Sequence, residues 1–184
     1  MRHNFGPKPL LYPMPVFIIA TYKEDGTPNA MNAAWGGMAD TEIISICLGE
    51  HRTTDNIFAR KAFTVSMADA ENVIPADYVG IVSGEKEPKK LEKAGWHTTK
   101  SAFVDAPLID ELPMALECEF ISYDEETGLL LGKIVNVCAE ERILTDGKID
   151  LTKFHPITYD PSGHGYYTLG EKVGNAFSDG KALK

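Results

Sequence analysis

Two short stretches hold most of the residues able to do chemistry. The first runs Asn29-Ala30-Met31-Asn32-Ala33-Ala34-Trp35-Gly36-Gly37. Its small side chains let a planar ligand approach the backbone, whose amides then bond the polar edge of a heterocycle. Asn32 adds a donor and an acceptor, Ala33 and Ala34 leave room, and Trp35 supplies an aromatic wall. The same composition also suits a tight barrel corner, where Ala and Gly allow close packing. The second stretch, Cys47-Leu48-Gly49-Glu50-His51-Arg52-Thr53-Thr54, leaves an apolar strand and enters a helix. A helix start offers free amides and partial positive charge. Arg52 is suited to gripping a phosphate with two parallel bonds, and Thr53 and Thr54 add hydroxyls. The plainer reading is that Thr53 or Thr54 caps the helix while His51 and Arg52 lie in solvent.

A third patch is Ser83-Gly84-Glu85-Lys86. Gly84 permits unusual backbone angles, and Lys86 has the reach for a phosphate or an electron-rich ring edge; alternatively, this is a loop with a solvated lysine. Cys47 has the type of a nucleophile, but a cysteine ending an apolar strand is more often a small core residue, and no catalytic side chain is assigned. His164 and Tyr166-Tyr167 suit either a substrate face or packing of the tail. The histidines at 3, 51, 97, 155 and 164 are scattered without ligand spacing, so no metal site is expected. Nucleotide-loop, zinc-helix and nucleophile-elbow motifs are absent.

The elements that must position these patches read as mostly strands. Val16–Tyr22 is apolar and β-branched; Asp25-Gly26 marks a tight turn, and the chain returns through Asn29–Ala34. Thr41–Leu48 and Phe63–Met67 are further strands. A helix is expected from Thr53 or Thr54 through Arg60. Glu71–Val82 is mixed, with Pro75 marking an early helical turn or a break, and Glu87–Ala94 is a short helix ended by Gly95. Leu116–Ile121 and Leu130–Ala139 make a long hairpin around Asp124–Gly128. The tail Tyr166–Phe177 is expected to pack onto the body. Many strands with few helices predict a mainly β, antiparallel closed or split barrel.

The 184 residues suit one domain, with 43% apolar and 24% charged residues. A net charge of −9 disfavours nucleic acid, whose phosphates need a surplus of Lys and Arg. Cys47, Cys118 and Cys138 are odd in number and widely spaced, which suits a reduced, cytoplasmic protein. Met1–Pro9 lacks the apolar run of a secretory signal, and no stretch is long enough to span a bilayer.

Taken in order, these segments resemble the flavin reductase-like family of FMN-binding split barrels, most closely its flavoredoxin type. The resemblance starts at Pro15-Val16 and passes through the small-residue segment ending in Trp35. It takes in Ile44–Leu48 with His51-Arg52-Thr53-Thr54, then Phe63-Thr64-Val65-Ser66 and Ser83-Gly84-Glu85-Lys86, and closes with Tyr166–Phe177. It covers most of the chain, and order and spacing carry it rather than any one motif. It implies a single FMN-binding domain over 1–184, an antiparallel Greek-key split barrel with short covering helices, and a homodimer with FMN near each interface. By that similarity Asn32, Ala33, Ala34 and Trp35 meet the isoalloxazine ring. His51, Arg52, Thr53 and Thr54 surround the phosphate and ribityl chain, Ser83, Gly84 and Lys86 contribute from the next loop, and Cys47 is counted with the cofactor-binding residues. Many members have Pro where this chain has Gly49-Glu50, Asp-Lys for Glu85-Lys86, and Asn at Ser66. The implied activity is that of an NAD(P)H:flavin or ferric reductase, with a small-molecule or protein redox partner. The alternative is a flavoredoxin-type carrier without NAD(P)H turnover.

Overall fold

A computed structural model describes residues 1–184. After a short strand β1 (Met14–Pro15), β2 (Phe17–Tyr22) and β3 (Pro28–Ala33) form a hairpin, and β4 (Gly36–Asp40) and β5 (Ile43–Cys47) form a second. Helix α1 (Arg52–Arg60), strand β6 (Ala62–Met67), and helices α2 (Val73–Ile81) and α3 (Lys90–Lys93) follow. Then come β7 (Thr98–Lys100), β8 (Pro107–Ile109), the long hairpin β9 (Met114–Asp124) and β10 (Leu129–Ala139), β11 (Leu144–Thr145), β12 (Lys148–Ile149), and the terminal hairpin β13 (Ile157–Asp160) and β14 (Gly165–Thr168).

Seven strands make one antiparallel sheet in the order β3-β2-β6-β9-β10-β5-β4. The edge strands β3 and β4 are joined by Ala34 and Trp35 alone, so the sheet must curl until its edges meet. The strand pattern predicts a mainly β, closed or split barrel; the sheet is of the split type, as the family resemblance implies. β2 lies near the middle of two apolar layers, which explains its unbroken run. Phe17 and Ile19 join Ile44, Ile46, Phe63, Val65, Leu116, Cys118 and Leu130 inside the curl. Ile18 and Ala20 face Ala76, Val79, Leu91 and Trp96 beneath the helices. Gly132 is required on β10 because a Cβ there would overlap the Phe63 ring.

Three expectations are corrected, and one carboxylate proves buried. β4 replaces an expected connection: Gly36 and Gly37 carry no strand signal, yet Gly36 lies so close to the Ser45 carbonyl and the Phe17 ring that a side chain would not fit. The N-cap of α1 is His51 and has no side-chain cap bond, so neither threonine caps it. Thr54 Oγ1 instead donates to the Gly49 carbonyl at 2.9 Å. Glu117, polar in an alternating strand, is buried and accepts hydrogen bonds from Ser101 and Asn136. The tail pairs only through β14; Leu169 still borders Met14 and Ile157, but Val173 and Phe177 are fully exposed, so residues 170–177 do not pack on the body of this chain. Pro75 falls in the first turn of α2, where its missing N–H costs nothing.

Candidate functional site

Helix α1 starts where β5 leaves the barrel. Its first intrahelical bond runs from Asp55 N–H to the His51 carbonyl, 3.2 Å. The amides of Arg52, Thr53 and Thr54 precede that bond, so they remain free donors at the positive end of the helix. Beside them is a cleft of about 410 Å³, within the range of small-molecule sites. It is lined by Asn29, Met31, Asn32, His51, Arg52, Thr53, Val79–Gly84 and Lys90. Asn29 Nδ2 donates to Thr53 Oγ1 at 3.0 Å, tying β3 to the helix start. Two glycines keep the cleft open. A Cβ at Gly84 would overlap Asn29 Oδ1, and one at Gly80 would come within 2.9 Å of Asn32 Cβ.

The cleft extends at both ends. Past His51, Arg52 and Ser83 it opens into a space of about 780 Å³ bordered by Glu50, Asp55, Glu85, Glu125, Phe58 and Tyr123. Past Asn32, Gly80 and Ile81 it continues into a pocket of about 270 Å³ lined by Ala33, Ala34, Asp77, Tyr159 and Tyr166. The Arg52 guanidinium stands 4.0 Å from Asp55 and 3.9 Å from Glu85. Partly exposed pairs at that distance hold little energy, so its donors remain available to a ligand.

Lys90 is the group that sequence reading missed. It sits in a run of charged residues, Glu87–Lys93, that reads as a solvated face, yet it is only 4% exposed. Its Nζ donates to the carbonyls of Val79 (3.3 Å) and Val82 (3.0 Å) at the end of α2, where the helix dipole favours a cation. No carboxylate pairs with it, and burial lowers its pKa to about 8. Two of its three donors are used, and it faces the cleft. The only sequence signal was its neighbour Leu91, an apolar residue in a charged run.

The structure therefore brings together Asn32, His51, Arg52, Thr53, Ser83 and Gly84 in one cleft, with Ala33 and Ala34 in its inner extension and Thr54 at its outer one. It does not bring Trp35, Cys47 or Lys86 to the lining. Trp35 is 52% exposed and meets Cys47 at the barrel seam, where the Cys47 amide donates to the Trp35 carbonyl at 2.7 Å. The Cys47 thiol turns to the Thr127 carbonyl, and Lys86 is exposed. The inner extension adds Tyr159 and Tyr166; burial and the Asp77 carboxylate raise the Tyr166 phenol to about 12.

The donor set suits an elongated, anionic, planar-ended ligand: free helix amides, a guanidinium and a buried ammonium at one part, small residues and aromatic rings at the other. Flavin mononucleotide has that form.

Comparison with known proteins gives the family and the fold. Residues 10–167 match the family model described as flavin reductase like domain. The fold superposes on flavoredoxin of Desulfovibrio vulgaris (Miyazaki F) with a TM-score of 0.94 and 38% identity, covering 98% of this chain and 100% of that one. It superposes on flavoredoxin from Methanosarcina acetivorans with a TM-score of 0.90 and 26% identity, over 100% of both chains. An uncharacterized protein of Aeropyrum pernix is 26% identical over 155 residues; the match covers 82% of this chain and 58% of that protein, so this chain spans less than two thirds of that relative.

Proposed function

The chain belongs to the flavin reductase-like domain family, and from that membership we propose that it binds FMN without a covalent bond and passes electrons through it. The observation that carries this reading is the convergence, in one cleft, of three unspent amides at the start of α1, the Arg52 guanidinium and the buried, carboxylate-free Lys90. Bound FMN supplies the redox chemistry; the protein supplies binding, orientation and electrostatics. The helix amides, Arg52, Thr53 and Ser83 hold the phosphate. Asn32, Ala33 and Ala34 lie along the ring, and Gly80 and Gly84 admit the ligand to the backbone. Lys90 places a positive charge inside the cleft, where low dielectric strengthens it.

The reaction is an oxidoreduction of the flavin reductase type, with NAD(P)H as the electron donor. A second reading, an electron carrier without NAD(P)H turnover, is favoured by the likeness to flavoredoxin over the whole chain. A homodimer is part of the proposal, supported by the exposed apolar side chains Trp35, Met38, Val173 and Phe177. Three unpaired cysteines suit the reducing cytoplasm.

The visible spectrum of the purified protein, before and after incubation with FMN, tests the cofactor. A protein that is colourless and stays so overturns the proposal. Rapid mixing of the loaded protein with NADH and NADPH then separates the two readings. Bleaching by either nucleotide supports a reductase, and bleaching only by a reduced partner supports a carrier.

A further inference from the structure

Residues 1–23 hold Arg2, Lys8 and Lys23 and no carboxylate, although the chain carries 27 of them. Residues 1–12 are exposed throughout, and Met1–Leu11 form no main-chain hydrogen bond with the body. Phe5, Leu10, Leu11 and Tyr12 present apolar surface to water. Pro7, Pro9 and Pro13 hold this arm in an extended, polyproline-like course with no internal bonds. A segment of that kind loses little entropy on docking, and aromatic-lined grooves are the surfaces that receive it.

Such a groove lies at the outer end of the cleft. Phe58 and Tyr123 line it, with ring centroids 5.1 Å apart at 67°, and the Tyr123 hydroxyl donates to the Leu48 carbonyl at 2.9 Å. Four carboxylates, Glu50, Asp55, Glu85 and Glu125, border its space of about 780 Å³. Arg52 stands beside Asp55 and Glu85 and leaves Glu50 and Glu125 without a cation. The groove therefore offers aromatic rings within a negative rim, the complement of a proline-bearing segment with Arg and Lys.

The exit of the arm decides which copy supplies it. β1 pairs with β13 through Met14 and Tyr159, and the Tyr12 hydroxyl donates to Asp160 Oδ1 at 2.6 Å. Tyr159 lines the inner extension, so the arm leaves at the end of the cleft opposite the acidic groove, with the main cleft between them. To fill its own groove it must double back along that cleft, whereas a second copy brings its arm from outside. We propose that the N-terminal arm of one protomer docks in the acid-rimmed aromatic groove of its partner, with Pro7 and Pro9 against Phe58 and Tyr123 and with Arg2 and Lys8 facing the rim carboxylates. Two-fold symmetry makes the contact twice. The proposal rests on the homodimer reading, to which it adds a contact that holds the pair together; it does not depend on FMN.

Carbodiimide cross-linking of the full chain tests this, because it joins an amine to a carboxylate that touches it. The species of twice the chain mass is isolated under denaturing conditions and its linked peptides are read by mass spectrometry. Lys8 is expected to be linked to one or more of Glu50, Asp55, Glu85 and Glu125. Lys8→Arg, which keeps the charge and removes the amine, is expected to lose that link while the dimer Kd, measured by sedimentation velocity, stays the same. The double variant Arg2→Glu, Lys8→Glu is expected to raise that Kd about tenfold or more, and added salt to raise it as well. Lys8 links to these carboxylates found only at the mass of a single chain, a doubled species without them, or a Kd unchanged in the double variant overturns the proposal. A dimer with unlinked arms leaves the homodimer reading standing, and a protein that stays monomeric at every concentration ends both.

Discussion

Lys90 allows the cofactor proposal to be tested by pH. The pKa of Lys90 is about 8, because burial removes water that no carboxylate replaces. In the unfolded chain it returns to about 10.5. Below pH 8 the folded protein therefore holds a charged, desolvated ammonium. That burden lifts as the pH rises from 8 towards 10.5, where the folded protein has shed a proton that the unfolded chain retains. At about 1.36 kcal/mol per pH unit of displacement, the burden is of the order of 3 kcal/mol. An anionic ligand in the cleft reverses it by restoring favourable surroundings for the charge. FMN binding above pH 8 must then take up a proton, and affinity should fall by a slope that approaches one decade per pH unit, or about 15-fold between pH 8 and 9.5. Flavin fluorescence titrations across that range measure the slope, and calorimetry in two buffers of different ionisation enthalpy counts the protons. In Lys90→Met, which keeps the length of the stem, the slope should vanish and the affinity should stay weak at neutral pH. An affinity independent of pH in the parent protein, or the same slope in Lys90→Met, would refute the reasoning.

Other perturbations follow from the same geometry. Arg52→Ala should leave thermal stability nearly unchanged, since its ion pairs are long and partly exposed, while raising the Kd for FMN about tenfold or more, the worth of a charge-assisted bond; equilibrium dialysis at two salt concentrations checks both size and screening. Gly84→Ala places a methyl group on the Asn29 amide and should lower both the melting temperature and FMN uptake, with a cost of about 1–3 kcal/mol for overpacking. Ser66 is buried, and its hydroxyl has no partner. Ser66→Ala should therefore stabilise the protein by about 1 kcal/mol, seen as a higher denaturant midpoint at unchanged slope.

Much of the frame was legible because it follows from periodicity. The run of β2, the β9–β10 hairpin and the β5-to-α1 passage all announce themselves through side-chain pattern. β4 was not legible, because glycine is chosen there for close approach to Ser45 and Phe17, a property of the partner strand and not of the segment. Lys90 was hidden for a similar reason: its neighbours in sequence, Lys89 and Lys93, are solvated, and only the docking of α3 against β3 buries it. Asn29 lay within the flagged segment, but its bond to Thr53 and its fit against Gly84 join three distant parts of the chain. Trp35 looked like a wall of the cleft from its neighbours; the two-residue crossing at the seam turns it outward instead.

That seam also sets an order of events during synthesis. The β2–β3 and β4–β5 hairpins leave the ribosome before β6, β9 and β10, the strands that lie between β2 and β5 in the sheet. β5 pairs with β10 through Leu129–Lys133, so its inner edge waits for more than eighty residues of chain still to be made. Through that interval, Ile44 and Ile46 have no lid and β5 offers an open row of amides and carbonyls to any passing strand. A nascent chain stalled before Leu129 is thus the form most exposed to aggregation and the natural client of ribosome-bound chaperones. The many long-range strand pairings that follow make slow, late closure the expected folding regime.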